Sequence, residues 1–199
     1  MRIAVSGTHC CGKSTLIDAF LLNHPDFSHE PEPYIALQEE HCEVFSAEPS
    51  LDDFHRQLEF NIQRLRCYHF GERVIYERSP VDFLAYMMAI NDLQRNATNT
   101  RIIEDSLDVV IEAIQLLEVI VFLPLDVDDD VVFGTPDSED LELRRAVDSR
   151  LANILNGDDL DLFSASGPKV LEAHGSTTQR LQTLEAFLSK PMAGHAKTD

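Results

Sequence analysis

Gly7, four intervening residues, then Gly12-Lys13-Ser14 is a spacing that can hold a phosphate chain. Glycines let the backbone turn tightly with its N–H groups inward, and a helix starting just beyond adds its positive end. An ammonium such as Lys13 then reaches the outer phosphates, and a hydroxyl such as Ser14 can ligate Mg2+. So short a pattern also arises in ordinary strand-to-helix turns, so the surroundings decide. Arg2 to Ser6 is a small, β-branched apolar run of the kind that forms a central strand buried on both faces. Beyond the lysine, Leu16, Ile17, Phe20 and Leu21 recur at helical spacing. Strand, glycine loop, helix is the order phosphate binding requires. Gly7, Thr8, His9, Cys10, Cys11, Gly12, Lys13, Ser14 and Thr15 are therefore expected to wrap a nucleoside triphosphate.

His9, Cys10 and Cys11 fill the variable part of this loop. Adjacent cysteines lack the gap of common zinc sites, and Cys42 and Cys67 stand alone further on, so they read as filler pointing away from the phosphates. Oxidation of Cys10 or Cys11 would still damage the loop.

Further chemistry gathers in short polar stretches after two other strand-like segments. "HEPEPY", residues 29–34, sets two carboxylates before prolines, which push each glutamate into an extended conformation. A rigid carboxylate there suits a general base or a hydroxyl clamp; a stiff acidic turn is the plainer reading. Glu77-Arg78 offers a carboxylate for a metal and a guanidinium for a phosphate or hydroxyl, or else an ion pair capping the helix that Pro80 opens. Asp82 and Tyr86 lie one turn apart, opposite that helix's apolar stripe of Val81, Leu84, Ala85 and Met88. They either meet substrate or face water. In 51–69, Leu51, Phe54, Leu58, Ile62 and Leu65 form a core stripe, and Gln57, Asn61 and Arg64 align on another face. Amides of this kind pair with a nucleobase edge or a sugar hydroxyl, or simply with solvent. Arg144 and Arg145 follow an acidic loop, where arginines can neutralise charge developing in phosphoryl transfer; Arg144 can instead pair with Asp148.

The elements that must position these groups alternate. Strands are expected near 2–6, 27–31, 73–77, 119–123 and 168–173, with helices near 13–22, 35–46, 51–69, from Pro80 onward, 101–117 and 138–156. Ser176-Thr177-Thr178-Gln179 is a capping box opening a last helix. The longer helix turns Ile103, Leu107, Val110, Ile111, Ile114 and Leu117 inward. This order implies an α/β fold, a five-stranded parallel sheet with helices on both faces, and ligands at the carboxyl ends of the strands. One domain over 1–190 is expected, with a mobile lid at about 126–150 and a flexible tail at 191–199.

With 35 acidic against 16 basic residues and a net charge of -19, the surface repels nucleic-acid polymers. No run has membrane-spanning length, the first apolar stretch is the loop's own strand, and four scattered cysteines fit a reducing compartment; a cytoplasmic location is expected, with no membrane partner. The abundance of Asp over Lys fits a salty cytoplasm or simply solubility. Asp-x-x-Gly and Asn-Lys-x-Asp do not occur, which argues against a GTPase switch, and no separate lid domain follows of the kind a ring-forming ATPase carries.

Gly7–Thr15, "EPY" at 32–34, "FHRQ" at 54–57, "YERSPVDFLAY" at 76–86 and Arg144-Arg145 together resemble the P-loop nucleoside and nucleotide kinases, within the AAA-type ATPase/kinase-like group that includes ribosylnicotinamide-kinase-like domains. The resemblance implies a P-loop NTPase three-layer sandwich that binds Mg-ATP and transfers phosphate to a small-molecule acceptor, a nucleoside or nucleotide, with a homodimer as one assembly. It maps the base on the acceptor hydroxyl onto Glu32, the metal-side glutamate onto Glu77, the phosphate- or acceptor-side arginine onto Arg78, and the base-gripping amide onto Gln57. Lys13, Glu32, Arg78, Arg144 and Arg145 become the catalytic candidates. Glu32, Tyr34, Gln57, Arg78 and Asp82 are the substrate-binding candidates, and Ser14 and Glu77 the metal candidates. The strand at 119–123 ends in Pro124 without the acid of a standard second Walker motif, and a thymidylate-kinase-type Asp-Arg-Tyr is replaced by Glu77-Arg78-Ser79. The alternative is a regulatory nucleotide-binding protein with slow ATP hydrolysis.

Overall fold

The structure is a computed structural model that describes residues 1–45, 49–69, 71–93, 101–125 and 140–190. β1 (Arg2–Ser6) lies at the centre of a five-stranded sheet. β3 (Val74–Glu77) and β4 (Val119–Phe122) flank it, and β2 (Ser28–Glu30) and β5 (Lys169–Glu172) form the edges. The order is β2-β3-β1-β4-β5 and every pairing is parallel. Sequence dictates who takes the centre: β1, β3 and β4 are apolar on both faces, whereas β2 and β5 expose polar residues such as Ser28 and Lys169.

Alternation along the strands divides the core in two. Ile3, Val5, Ile75, Val119 and Val121 pack with Leu16, Ile17 and Phe20 of α1 (Lys13–Asn23) and Leu184 of α7 (Thr177–Leu188). Ala4, Val74, Tyr76, Ile120 and Phe122 face the other way, against α3 (Leu51–Cys67), α4 (Pro80–Asp92), α5 (Arg101–Ile114) and α6 (Leu141–Gly157). Each large aliphatic or aromatic side chain so buried contributes about 1.5–3 kcal/mol. α2 (Pro33–His41) rides on α3 through Leu37 and Phe60. No helix among the described residues is long and apolar enough to cross a membrane.

The boundaries shift for local reasons. α2 begins at Pro33, whose fixed φ suits a first helical turn, and ends at Cys42 in the left-handed region, not near 46. α5 stops at Ile114; the N–H groups of Leu116 and Leu117 reach back only three residues, to Ala113 and Ile114, in a tighter final turn. Of the expected lid, 126–139 lies outside the described residues, as does the tail from 191, while 141–150 is regular helix with Leu143 and Val147 in the core.

α4 departs most from expectation. Asp82 and Tyr86 are buried along with Val81, Phe83, Leu84, Ala85 and Met87, and it is Met88 of the expected stripe that is only partly covered. The helix is wedged between α3, α5, α6 and the sheet, so from Pro80 to Ile90 it turns no polar face to water.

Candidate active site

At the carboxyl end of β1 the loop from Gly7 to Gly12 turns into α1. Gly7 has φ +153, and a Cβ there would sit 2.6 Å from Cys11 Sγ and 2.7 Å from the Leu123 carbonyl oxygen, so only glycine fits. Gly12 stands ahead of α1 in the left-handed region with φ 89. Cations hold the loop's carbonyls one after another. Arg78 Nη1 donates to Gly7 O at 3.0 Å and Lys13 Nζ to Thr8 O at 2.9 Å. Arg144 donates through Nε to His9 O and through Nη2 to Cys10 O, and Arg180 Nη1 donates to Cys11 O at 2.6 Å. The C=O and N–H of one peptide point in opposite directions, so fixing the carbonyls fixes the N–H groups that a phosphate would meet.

Two further contacts tie the loop to α4. Gly7 N–H donates to Asp82 Oδ1 at 3.0 Å, and His9 N–H donates to the Tyr86 hydroxyl at 3.0 Å. The other carboxylate oxygen of Asp82 accepts from Ser79 N–H and Ser79 Oγ. Asp82 therefore spans from the start of α4 to the start of the loop, completely enclosed.

Ser14 is exposed on the first turn of α1, and its Oγ donates to Glu77 Oε1 at 2.8 Å. β3 is hydrogen-bonded directly to β1, with Glu77 opposite Val5, which is why a carboxylate at the end of β3 meets the loop and the acid-free β4 is not needed. A hydroxyl and a carboxylate side by side form a hard oxygen donor pair suited to Mg2+. Within the same loop Thr8 Oγ1 is buried with no hydrogen-bond partner among the described residues, an orphaned group that a polar ligand would satisfy.

A second cluster stands at the ends of β2 and β3. Arg78 Nε donates to Glu32 Oε1 at 2.5 Å, and Arg78 Nη1 lies 3.5 Å from Asp82 Oδ1. Burial pushes the Glu32 carboxyl upward, but Arg78 and Lys13 outweigh it and hold the group at about 2. Arg78 is itself raised: burial opposes its charge, and Glu32, Tyr86 and Asp82 more than restore it. Arg78 has φ 76, left-handed for a non-glycine residue, and Asn61 Nδ2 braces its carbonyl at 3.2 Å. Arg64 bonds Glu30 and donates to Pro31 O at 2.7 Å, fixing the chain just before Glu32. Phe54 stacks on Tyr86 with centroids 4.5 Å apart, and the Arg78 guanidinium lies 5.0 Å from the Tyr86 ring centre.

The structure thus brings together the loop residues, Lys13, Ser14, Glu32, Glu77, Arg78, Asp82 and Arg144. Gln57 is buried on α3 with Nε2 donating to Asp53 O in its own helix. Tyr34 is 39% exposed, its ring on Phe45 and its hydroxyl accepting from Gln38 Nε2. Arg145 faces outward beside the buried Arg144. Cys11 is buried in the α1/α7 core, and burial pushes its thiol up despite Lys13, Arg78 and Arg180. Sequence reasoning missed Arg180 as a loop contact, and left Tyr86 and Asp82 between substrate and solvent when both hold the loop. A signal for Arg180 existed: it shares a helical stripe with Leu184 and Phe187, an odd place for a guanidinium without a buried partner.

A phosphate-binding loop on a 2-3-1-4-5 parallel sheet, with a glutamate beside the loop's serine, defines a P-loop kinase fold. The chain belongs to the AAA domain family, whose profile matches residues 2–168. Among solved structures it is similar to deoxyadenosine kinase from M. mycoides with bound dATP, at 16% identity and TM-score 0.68, over 96% of this chain and 100% of that one. It is also similar to thymidylate kinase from Candida albicans, at 16% identity and TM-score 0.65, over 94% and 90% of the two chains. NadR protein in complex with NR matches at 13% identity and TM-score 0.60, covering 98% of this chain and 54% of that one. No curated protein sequence matches significantly.

Proposed function

We propose that the chain is an ATP-dependent kinase for a small hydroxyl or phosphate acceptor of the nucleoside or nucleotide class. One observation carries this reading: a second polar cluster, Glu32 with Arg78, stands beside the triphosphate loop and is tied to it through Gly7 O. A carboxylate so placed suits a base on an acceptor hydroxyl, a role that nucleotide sensing alone does not call for. The resemblance to nucleoside and nucleotide kinases in fold supports the same reading.

In this mechanism the loop N–H groups and Lys13 hold the triphosphate of the donor. Ser14 and Glu77 would hold Mg2+, which when bound would supply charge neutralisation for the phosphates. Glu32 accepts the proton of the acceptor O–H. The acceptor oxygen forms its bond to the γ-phosphorus as the bond from that phosphorus to the β–γ bridging oxygen breaks, and ADP departs. Arg78 orients Glu32 and faces the transferring group, and Arg144 stabilises the loop around it.

Glu32→Gln tests this directly. Calorimetry should find ATP binding intact, and acceptor-dependent ADP formation should fall by about 100-fold or more. Turnover equal to wild type removes Glu32 from the role of base. ADP release that stays slow and flat across nucleosides and their monophosphates favours the regulatory reading instead.

A further inference from the structure

We infer that the acceptor is a neutral hydroxyl compound, with no phosphate of its own, so that the protein phosphorylates nucleosides and rejects nucleotides. The inference rests on the kinase reading above and narrows its substrate class.

A phosphomonoester is a dianion, and proteins seize such groups with guanidinium forks left open for them. The described stretch from β2 through α4, which walls the acceptor side, contains five arginines and no lysine. All five already have carboxylate partners. Arg56 bonds Glu43 at 2.6 Å, Arg64 bonds Glu30, and Arg78 bonds Glu32 at 2.5 Å with Asp82 behind it. Arg66, near the end of α3, and Arg73, just before β3, lie 3.6 Å from Glu112 and 2.8 Å from Asp26.

Among the described residues Arg78 is the arginine that bonds the proposed base itself, and it faces two carboxylates. A phosphate brought to it must displace Glu32, the group that the transfer needs, or crowd two buried anions. A hydroxyl meets no such conflict, because it donates to the carboxylate oxygen and leaves the pair intact.

The experiment compares each ribo- and deoxyribonucleoside, and ribosylnicotinamide, with its own 5′-monophosphate. Wild-type, reduced protein is assayed for ADP formation at saturating Mg-ATP. At least one nucleoside should raise the rate about tenfold or more while its monophosphate leaves it at the basal level. A monophosphate that stimulates more than its parent nucleoside overturns the inference and leaves the kinase reading standing. Stimulation by neither class overturns both.

Thermal shift supplies a readout independent of turnover. Monophosphates without ATP should leave wild-type Tm unmoved and raise that of Glu32→Gln, in which Arg78 has lost its nearer counter-charge, by about 2 °C. An equal rise in wild type, or none in the variant, overturns the charge argument.

Discussion

Asp82 Oδ1 accepts the backbone N–H of Gly7 at 3.0 Å, so the first turn of α4 holds the first residue of the phosphate loop. The same carboxylate also accepts from Ser79 N–H and Ser79 Oγ and lies near Arg78. Asp82→Asn keeps the size and turns an NH2 group toward donors wherever it is placed. The expected outcome is a loss of about 2–4 kcal/mol in stability by urea unfolding, with weakened ATP binding. Wild-type stability in that variant would show that the cage is not carrying the loop.

Glu32 makes a pH prediction whose sign is definite. Its folded value, about 2, lies below the ordinary 4.5, so the unfolded chain takes up the proton first. Its contribution to stability is complete above pH 4.5 and is lost as pH falls toward 2. The stability difference between wild type and Glu32→Gln, measured by denaturant titration, should therefore be constant from neutral pH down to about 5 and shrink below that.

Gly7→Ala places a Cβ 2.6 Å from Cys11 Sγ and 2.7 Å from a backbone oxygen, at a φ that side chains disfavour. The backbone contact cannot be relieved by a rotamer change. The variant should lose about 1–3 kcal/mol of stability and most of its ATP affinity, read by calorimetry.

The cysteines should label in a fixed order. Cys42 and Cys67 are exposed, Cys10 is partly covered, and Cys11 is fully buried with its thiol pushed up by desolvation. Timed alkylation read by mass spectrometry should modify Cys42 and Cys67 first and Cys11 last, because the thiolate is the reactive form. Mg-ATP should slow Cys10, whose carbonyl and neighbours form the loop.

Much of this architecture was readable in advance. The five strands and the central place of Arg2–Ser6 follow from apolar runs, since only buried parallel strands are apolar on both faces, whereas the strand order came from the fold. Ser176 with Gln179 opens α7 as its capping-box spacing requires. Asp82 and Tyr86 were misjudged because helical periodicity reports a residue's angle on a helix, not how many neighbours surround it. Arg144 was weighed against a pairing with Asp148 because an i,i+4 partner is visible in sequence, whereas the His9 and Cys10 carbonyls lie more than a hundred residues away.

What the chain's own order of residues determined is the phosphate loop. Glycine conformation, helix start, lysine and serine are all local, and local geometry follows from adjacent residues. What only the tertiary structure decided is how charges share partners: that Arg78 is spoken for by Glu32 and Asp82, that Glu77 reaches Ser14, and that Arg180 holds Cys11. Coulomb interactions and hydrogen bonds depend on distance through space and on burial. Neither can be read from separation along the chain until the strand order has brought β3 beside β1 and set α4, α6 and α7 around the loop.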